Sequence, residues 1–216
     1  MRILVTRPLP GGEATATRLH ALGHEVILVP LLEAFAVTWR PPATPPDAIM
    51  LTSAFAARLA DAAAWHDLPV YTVGPATARA AAETGFSDVR TGGVTVQSLL
   101  GTVAAAGFRA ILHLAGEDRT PVVVPAGLRV ETRVVYRARL LPLEHLPDVD
   151  WVLLYSPRTA AHFAAEVDRL REPRNAAIAA ISGTALAAAG PGWRRAVAAA
   201  RPDEDALLAA IGVPCQ

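Results

Sequence analysis

Four hydroxyl side chains stand where a small acidic molecule could be handled. Thr52-Ser53 follows the apolar run Ile49-Met50-Leu51, and Thr77 follows Val70-Tyr71-Thr72-Val73 and Gly74-Pro75. The same order returns later. Ser156 follows the run from Trp151 to Leu154, and Thr184 follows Ala177 to Ile181 and Ser182-Gly183. The Ser-to-Thr spacing is about two dozen residues in both copies, so one strand-helix-strand-helix unit is used twice. In an open parallel sheet, the loops leaving the carboxyl ends of the strands line the ligand crevice. Each of these loops also begins a helix, with free backbone N–H groups and a positive dipole end. Such surroundings suit a carboxylate or a phosphate. The plain alternative is that Ser53, Thr77, Ser156 and Thr184 are ordinary helix N-caps. Matched pairs in two halves favour function, because two facing lobes would enclose a polar cleft.

Other chemistries are excluded or weakly marked. All 20 basic residues other than histidine are Arg, and there is no Lys. Schiff-base catalysis and a Walker-type phosphate loop are therefore out. Coding bias accounts for an all-Arg chain, so the absence excludes without suggesting. Cys215 is the only cysteine, which excludes internal disulfides and a cysteine-ligated zinc site. No Gly-x-Gly-x-x-Gly follows a strand, and Gly11-Gly12 reads as a turn. No Gly-x-Ser-x-Gly elbow and no His or acidic cluster with metal spacing exists. Of the six His, His113 lies inside an apolar strand and reads as a satisfied core residue. Glu117-Asp118 is either a catalytic pair or an acidic helix start. No metal or organic cofactor is expected.

The elements that must position these groups alternate. The chain has 216 residues, 52% hydrophobic, with zero formal net charge. That length suits one large domain or two small ones, and the neutral balance argues against a nucleic-acid partner. No run of about eighteen apolar residues exists, so no membrane span is expected. Arg7 and Pro8 stand where a signal peptide would continue. A cytoplasmic protein is the default. Strands are expected at 3–6, 26–30, 49–51, 70–73, 110–114, 151–154 and 177–181. Alanine-rich helices fall between them, with Gly23 and Gly85 as stops. Two proline-rich breaks, at 38–47 and 141–147, interrupt the order. The fold class is α/β with two similar lobes, each a parallel sheet flanked by helices.

The ordered series of motifs resembles the uroporphyrinogen-III synthase family. It runs from Ile3-Leu4-Val5-Thr6-Arg7-Pro8 through Gly23-His24, Leu51-Thr52-Ser53 and Val73-Gly74-Pro75-Ala76-Thr77. It continues with Ile111 to Arg119 as the family's strand-Gly-x-x-Arg and with Val134-Val135-Tyr136-Arg137 as its Val-Tyr-Arg turn. Tyr155-Ser156-Pro157-Arg158 and Ser182-Gly183-Thr184-Ala185 complete it. The resemblance covers nearly the whole chain. It implies a discontinuous domain of residues 1–35 and 141–216, a second of 38–135, and a two-stranded linker near 33–37 and 135–140. It implies a cofactor-free lyase that closes hydroxymethylbilane into uroporphyrinogen III with loss of water and inversion of the last pyrrole. A monomer acting on that small molecule is expected.

The resemblance also implies roles. Tyr136 matches the tyrosine proposed to assist hydroxyl loss, and phenols keep their proton at neutral pH. Its plainer role is a linker tyrosine packed between lobes. Thr52, Ser53, Thr77, Ser156 and Thr184 match cleft-lining positions. Arg7, Arg119, Arg137 and Arg158 are partners for the substrate carboxylates. Two positions depart from the family: Phe55 replaces a frequent Asn, and Ser182 replaces the usual Gly. They support the alternative of a degenerate homologue that binds or senses a small acidic ligand without chemistry. A glycosyltransferase-like enzyme is a weaker third reading, because no nucleotide-phosphate loop is present.

Overall fold

A computed structural model describes residues 1–93, 95–119 and 121–214. Cys215 lies outside them. In chain order the elements are β1 (Arg2–Val5), α1 (Gly11–Ala21), β2 (Glu25–Leu28), β3 (Leu32–Ala36), β4 (Ala48–Leu51) and α2 (Ala54–Leu59). Next come β5 (Val70–Thr72), α3 (Pro75–Glu83), β6 (Val89–Thr91), α4 (Val96–Ala105), β7 (Ala110–Gly116) and β8 (Arg129–Leu140). The last are β9 (Trp151–Leu154), α5 (Pro157–Leu170), β10 (Ala177–Ala180), α6 (Gly183–Ala188), β11 (Arg195–Ala198) and α7 (Glu204–Ala210). The chain divides into two compact units. Unit 1 holds Met1–Glu33 with Arg139 onward, and unit 2 is Ala34–Ala138.

The fold is mixed α/β, with parallel sheets flanked by helices. Unit 1 carries the sheet β11-β10-β9-β1-β2, all of whose pairs are parallel. Its strand residues alternate between two faces. Leu4, Val152, Leu154, Ile178 and Ala180 pack with Phe163 and Val167 of α5 and Ala185 of α6. Ile3, Val5, Trp151, Leu153 and Ala179 pack with Leu19 of α1 and Leu207 and Leu208 of α7. Both faces are covered, which is why these strands read as unbroken apolar runs.

The sheet of unit 2 runs β3-β8-β7-β4-β5-β6. Pairs from β8 through β6 are parallel. Ile49, Leu51, Val70, Leu112 and Leu114 meet the alanines of α2 and α3 on one face. Ala48, Met50, Tyr71 and Ile111 meet Leu99, Leu100 and Val103 of α4 on the other. Among the described residues, no helix is long and apolar enough to cross a membrane.

Several local expectations change. Gly11 and Gly12 open α1 rather than forming a turn. A Cβ on Gly12 would stand 2.5 Å from the Arg7 carbonyl oxygen and 2.8 Å from Leu28 Cδ1, so close packing explains that glycine. Val134 to Arg137 is no turn but lies within the twelve-residue strand β8. The helix after Ser53 stops at Leu59, because the chain takes a positive φ of 47° at Asp61 before a short 3₁₀ turn. Glu117 and Asp118 follow β7 in a bend and start no helix.

Candidate active site

Both sheets share one strand order. Numbered along the chain within unit 2, β4, β5, β6, β7 and β8 stand in the order 3-2-1-4-5. Unit 1 has the same order if counting begins at β9 and wraps through β11 to β1 and β2. The order reverses between β4 and β7 in unit 2 and between β9 and β1 in unit 1. Loops leaving the carboxyl ends of strands at such a reversal are where open α/β sheets bind ligands. In unit 2 they carry Thr52, Ser53 and Arg119. In unit 1 they carry Ser156, Arg158 and Arg7. Thr77 and Thr184 lie one strand further out, after β5 and β10.

Unit 2 joins several of these groups directly. Ser53 has extended backbone and caps α2, its Oγ accepting the Phe55 N–H at 3.2 Å. The Tyr136 hydroxyl, from β8, donates to the same Oγ at 3.0 Å. The Phe55 and Tyr136 rings lie 5.7 Å apart, tilted by 51°. Phe55, where the resemblance implied an Asn, thus packs on the tyrosine. Gly116, at the end of β7, pairs in register with Tyr136 across a bulge. A Cβ there would stand 2.6 Å from Tyr136 Cζ and 2.7 Å from its hydroxyl oxygen, so the ring lies in space only glycine leaves.

A second polar chain crosses the sheet. Thr52 Oγ1 is 3.1 Å from His113 Nε2, and Thr132 Oγ1 is 3.5 Å from Nδ1. His113 is 5% exposed. Burial first, and the Arg119 charge second, depress its pKa to about 4. It is the bonded core histidine that its apolar strand implied, and it also fastens Thr52, which no sequence signal marked.

The remaining groups of unit 2 are arranged more loosely. Glu117 pairs with Arg137 at 2.9 Å, and its N–H donates to the Tyr136 carbonyl at 3.1 Å. Arg119 is exposed, donating to the Glu117 carbonyl at 3.4 Å. Thr77 is no cap. Gly74, with φ at 76°, takes the cap position before Pro75, and Thr77 is buried in the first turn of α3.

In unit 1, Ser156 caps α5 by accepting the Thr159 N–H at 3.1 Å. Arg158 is exposed on the first turn. Ser182 caps α6, accepting the Ala185 N–H at 3.2 Å, with its Oγ 2.9 Å from the exposed Thr184 hydroxyl. Ser182, where the resemblance implied a glycine, thus serves as a cap, and Thr184 does not.

Arg7 is drawn into a network around Glu204. One Glu204 oxygen takes Arg7 Nη1 at 3.0 Å, the Tyr155 hydroxyl at 3.3 Å and the Thr15 hydroxyl. The Arg7 guanidinium also lies over the Tyr155 ring, 5.1 Å from its centroid. Burial, and then the Glu204 charge, push the Tyr155 phenol above its usual range. Glu204→Ala takes the shared carboxylate from a half-buried arginine and the Tyr155 hydroxyl, while the Thr15 hydroxyl keeps the Gly11 carbonyl at 3.0 Å. It is expected to cost about 2 kcal/mol of stability in a urea titration, and an unchanged midpoint would remove the network as a tie.

The fold and these groups define an α/β protein whose strand-end loops present hydroxyls and arginines at the reversal of each sheet. Among the described residues no group of three or more His, Cys, Asp or Glu is placed to hold a metal ion. The chain belongs to the uroporphyrinogen-III synthase family, whose model, described as Uroporphyrinogen-III synthase HemD, matches residues 13–209. It is an enzyme of that kind, a cyclising lyase of porphyrin biosynthesis. Uroporphyrinogen-III synthetase from Helicobacter pylori is 17% identical and superposes with a TM-score of 0.60, over 97% of each chain, which supports the fold. A mutant uroporphyrinogen III synthase from the extremely thermophilic bacterium Thermus thermophilus is also 17% identical, with a TM-score of 0.47 over 99% of this chain and 90% of its own. No curated protein gives a significant match.

Proposed function

We propose that this enzyme converts hydroxymethylbilane into uroporphyrinogen III, with loss of water and inversion of the last pyrrole, and needs no cofactor. The observation that carries this reading is the pair of hydroxyls on Tyr136 and Ser53, 3.0 Å apart at the carboxyl edge of the unit 2 sheet. The pyrroles of a linear tetrapyrrole are electron-rich and supply the nucleophilic carbon themselves. The protein must place a weak acid at the leaving hydroxyl and fold the chain for attack by the hindered carbon. A phenol in contact with a serine is such a weak acid. The substrate carboxylates and the leaving hydroxyl call for donors, and Thr52, Ser53, Thr77, Ser156, Thr184, Arg7, Arg119 and Arg158 are proposed to supply them.

The purified protein, given hydroxymethylbilane and no additive, is expected to yield isomer III. Isomer I alone, the spontaneous product, would sink the reading. Tyr136→Phe is expected to lower turnover at least about tenfold with cooperative melting retained. An unchanged rate would take Tyr136 out of the mechanism.

A further inference from the structure

The hydrogen bonds at Ser53 decide which of the two hydroxyls faces a ligand. A serine oxygen has two lone pairs and one proton. Both lone pairs at Ser53 are occupied, one by the Phe55 N–H at 3.2 Å and one by the Tyr136 O–H at 3.0 Å. The Tyr136 proton is therefore committed to Ser53. Ser53 accepts in both of these bonds, and among the described residues no hydrogen bond is donated by its hydroxyl. Ser53 is only half-buried, so its proton is open to an incoming molecule.

We propose that Ser53 is the catalytic residue that gives its proton to the departing hydroxyl oxygen, and that Tyr136 is a positioning residue that aligns Ser53 and resupplies the proton. This rests on the synthase reading above. The C–O bond of the hydroxymethyl group breaks with its electron pair on oxygen. That oxygen takes the Ser53 proton and leaves as water, while the Ser53 oxygen takes the Tyr136 proton. The pyrrole nitrogen lone pair fills the vacancy at the methylene carbon. Ring closure then releases one proton, which restores the phenol. A phenol is the stronger acid of the two hydroxyls, so the deficit rests on Tyr136 between these events. Gly116 and Phe55 hold the ring that makes the arrangement, one by leaving space and the other by packing against it.

The test compares Ser53→Ala, Tyr136→Phe, the double variant and Ser53→Thr in the full chain with hydroxymethylbilane. The wild type must first give isomer III; its failure would overturn the synthase reading and is separate from every outcome below. Ser53→Ala and Tyr136→Phe are each expected to lower kcat by about a hundredfold, with KM within about threefold. The double variant is expected to match Ser53→Ala within about twofold, because the two hydroxyls act as one unit. Ser53→Thr, which keeps the hydroxyl, restores most of the rate. A kcat for Ser53→Ala within about threefold of wild type, beside a large loss for Tyr136→Phe, would show that the phenol acts directly. Multiplying losses in the double variant would equally overturn the relay. Ser53→Ala also removes a cap, so cooperative melting is checked. If it does not fold, Ser53→Gly, which caps nearly as well, takes its place under the same criteria.

Discussion

Gly116→Ala is expected to lower isomer III formation by about a hundredfold while leaving the protein folded. The new methyl would enter the space of the Tyr136 ring, 2.6 Å from Cζ. Gly116 needs no unusual backbone, since it is absent from the positive-φ glycines, so the effect is spatial rather than conformational. Tyr136 is half-buried, so part of a displaced ring can meet solvent. Stability should therefore fall by no more than about 1 kcal/mol. What is lost is the 3.0 Å contact with Ser53. A displacement of about 1 Å is enough to cost two orders of magnitude when reacting groups must align. In a Tyr136→Phe background the same substitution should add little, because the hydroxyl it misplaces is already gone. A Gly116→Ala rate within about twofold of wild type would contradict the placement of Tyr136 in the reaction.

The second large effect concerns acid stability. His113 is buried and neutral, with its pKa depressed to about 4 from an ordinary 6.5. The unfolded chain takes up a proton as pH falls through 6.5, whereas the folded chain resists until about 4. Stability contributed by the neutral ring is thus complete above 6.5 and is lost as pH falls towards 4. The loss amounts to about 3 kcal/mol across that window. Carboxylates held below their usual range, such as Glu166 beside Arg169 and Asp47 under two backbone N–H donors, act at lower pH. His113→Gln removes the titration and should flatten the stability profile between about pH 6.5 and 4.5. Chemical denaturation at three or four pH values measures it, and parallel profiles for the two proteins would refute the assignment.

Local patterns were legible where chemistry and geometry coincide over a few residues. Apolar runs marked the central strands because both faces of each sheet are covered. Ser53 and Ser156 were legible as helix starts because their caps bond to residues two or three positions on. The family was legible from the order of loose motifs. Besides β8, read as a turn at 134–137, four elements escaped. β6 and β11 lie at sheet edges and expose several of their residues, so neither shows an apolar run. α4 contains Gly101 and three β-branched residues, which weaken its helical signal, and its capping box closes with Ser98 instead of Glu or Gln. α7 is short and opens on the acidic pair Glu204-Asp205.

The links behind the site were not legible for a different reason. His113 reaches Thr52 across 61 positions, and Arg7 reaches Glu204 across 197. Gly116 and Tyr136 meet only through strand register. No local pattern encodes such pairings, because they are set by which strands lie side by side.

The wrapped strand order of unit 1 has a consequence for how the chain is made. β1 needs β9 as its neighbour, with Ile3 opposite Trp151 and Val5 opposite Leu153. Synthesis delivers β1, α1 and β2 before unit 2, and β9 only after all of unit 2 has emerged. Unit 2, continuous from Ala34 to Ala138, has its strands in hand first. The nascent β1-α1-β2 piece meanwhile carries an unpaired strand edge and apolar residues that α7 and α5 will later cover. The β1-α1-β2 segment therefore needs shelter on the nascent chain until β9, α5 and α7 arrive.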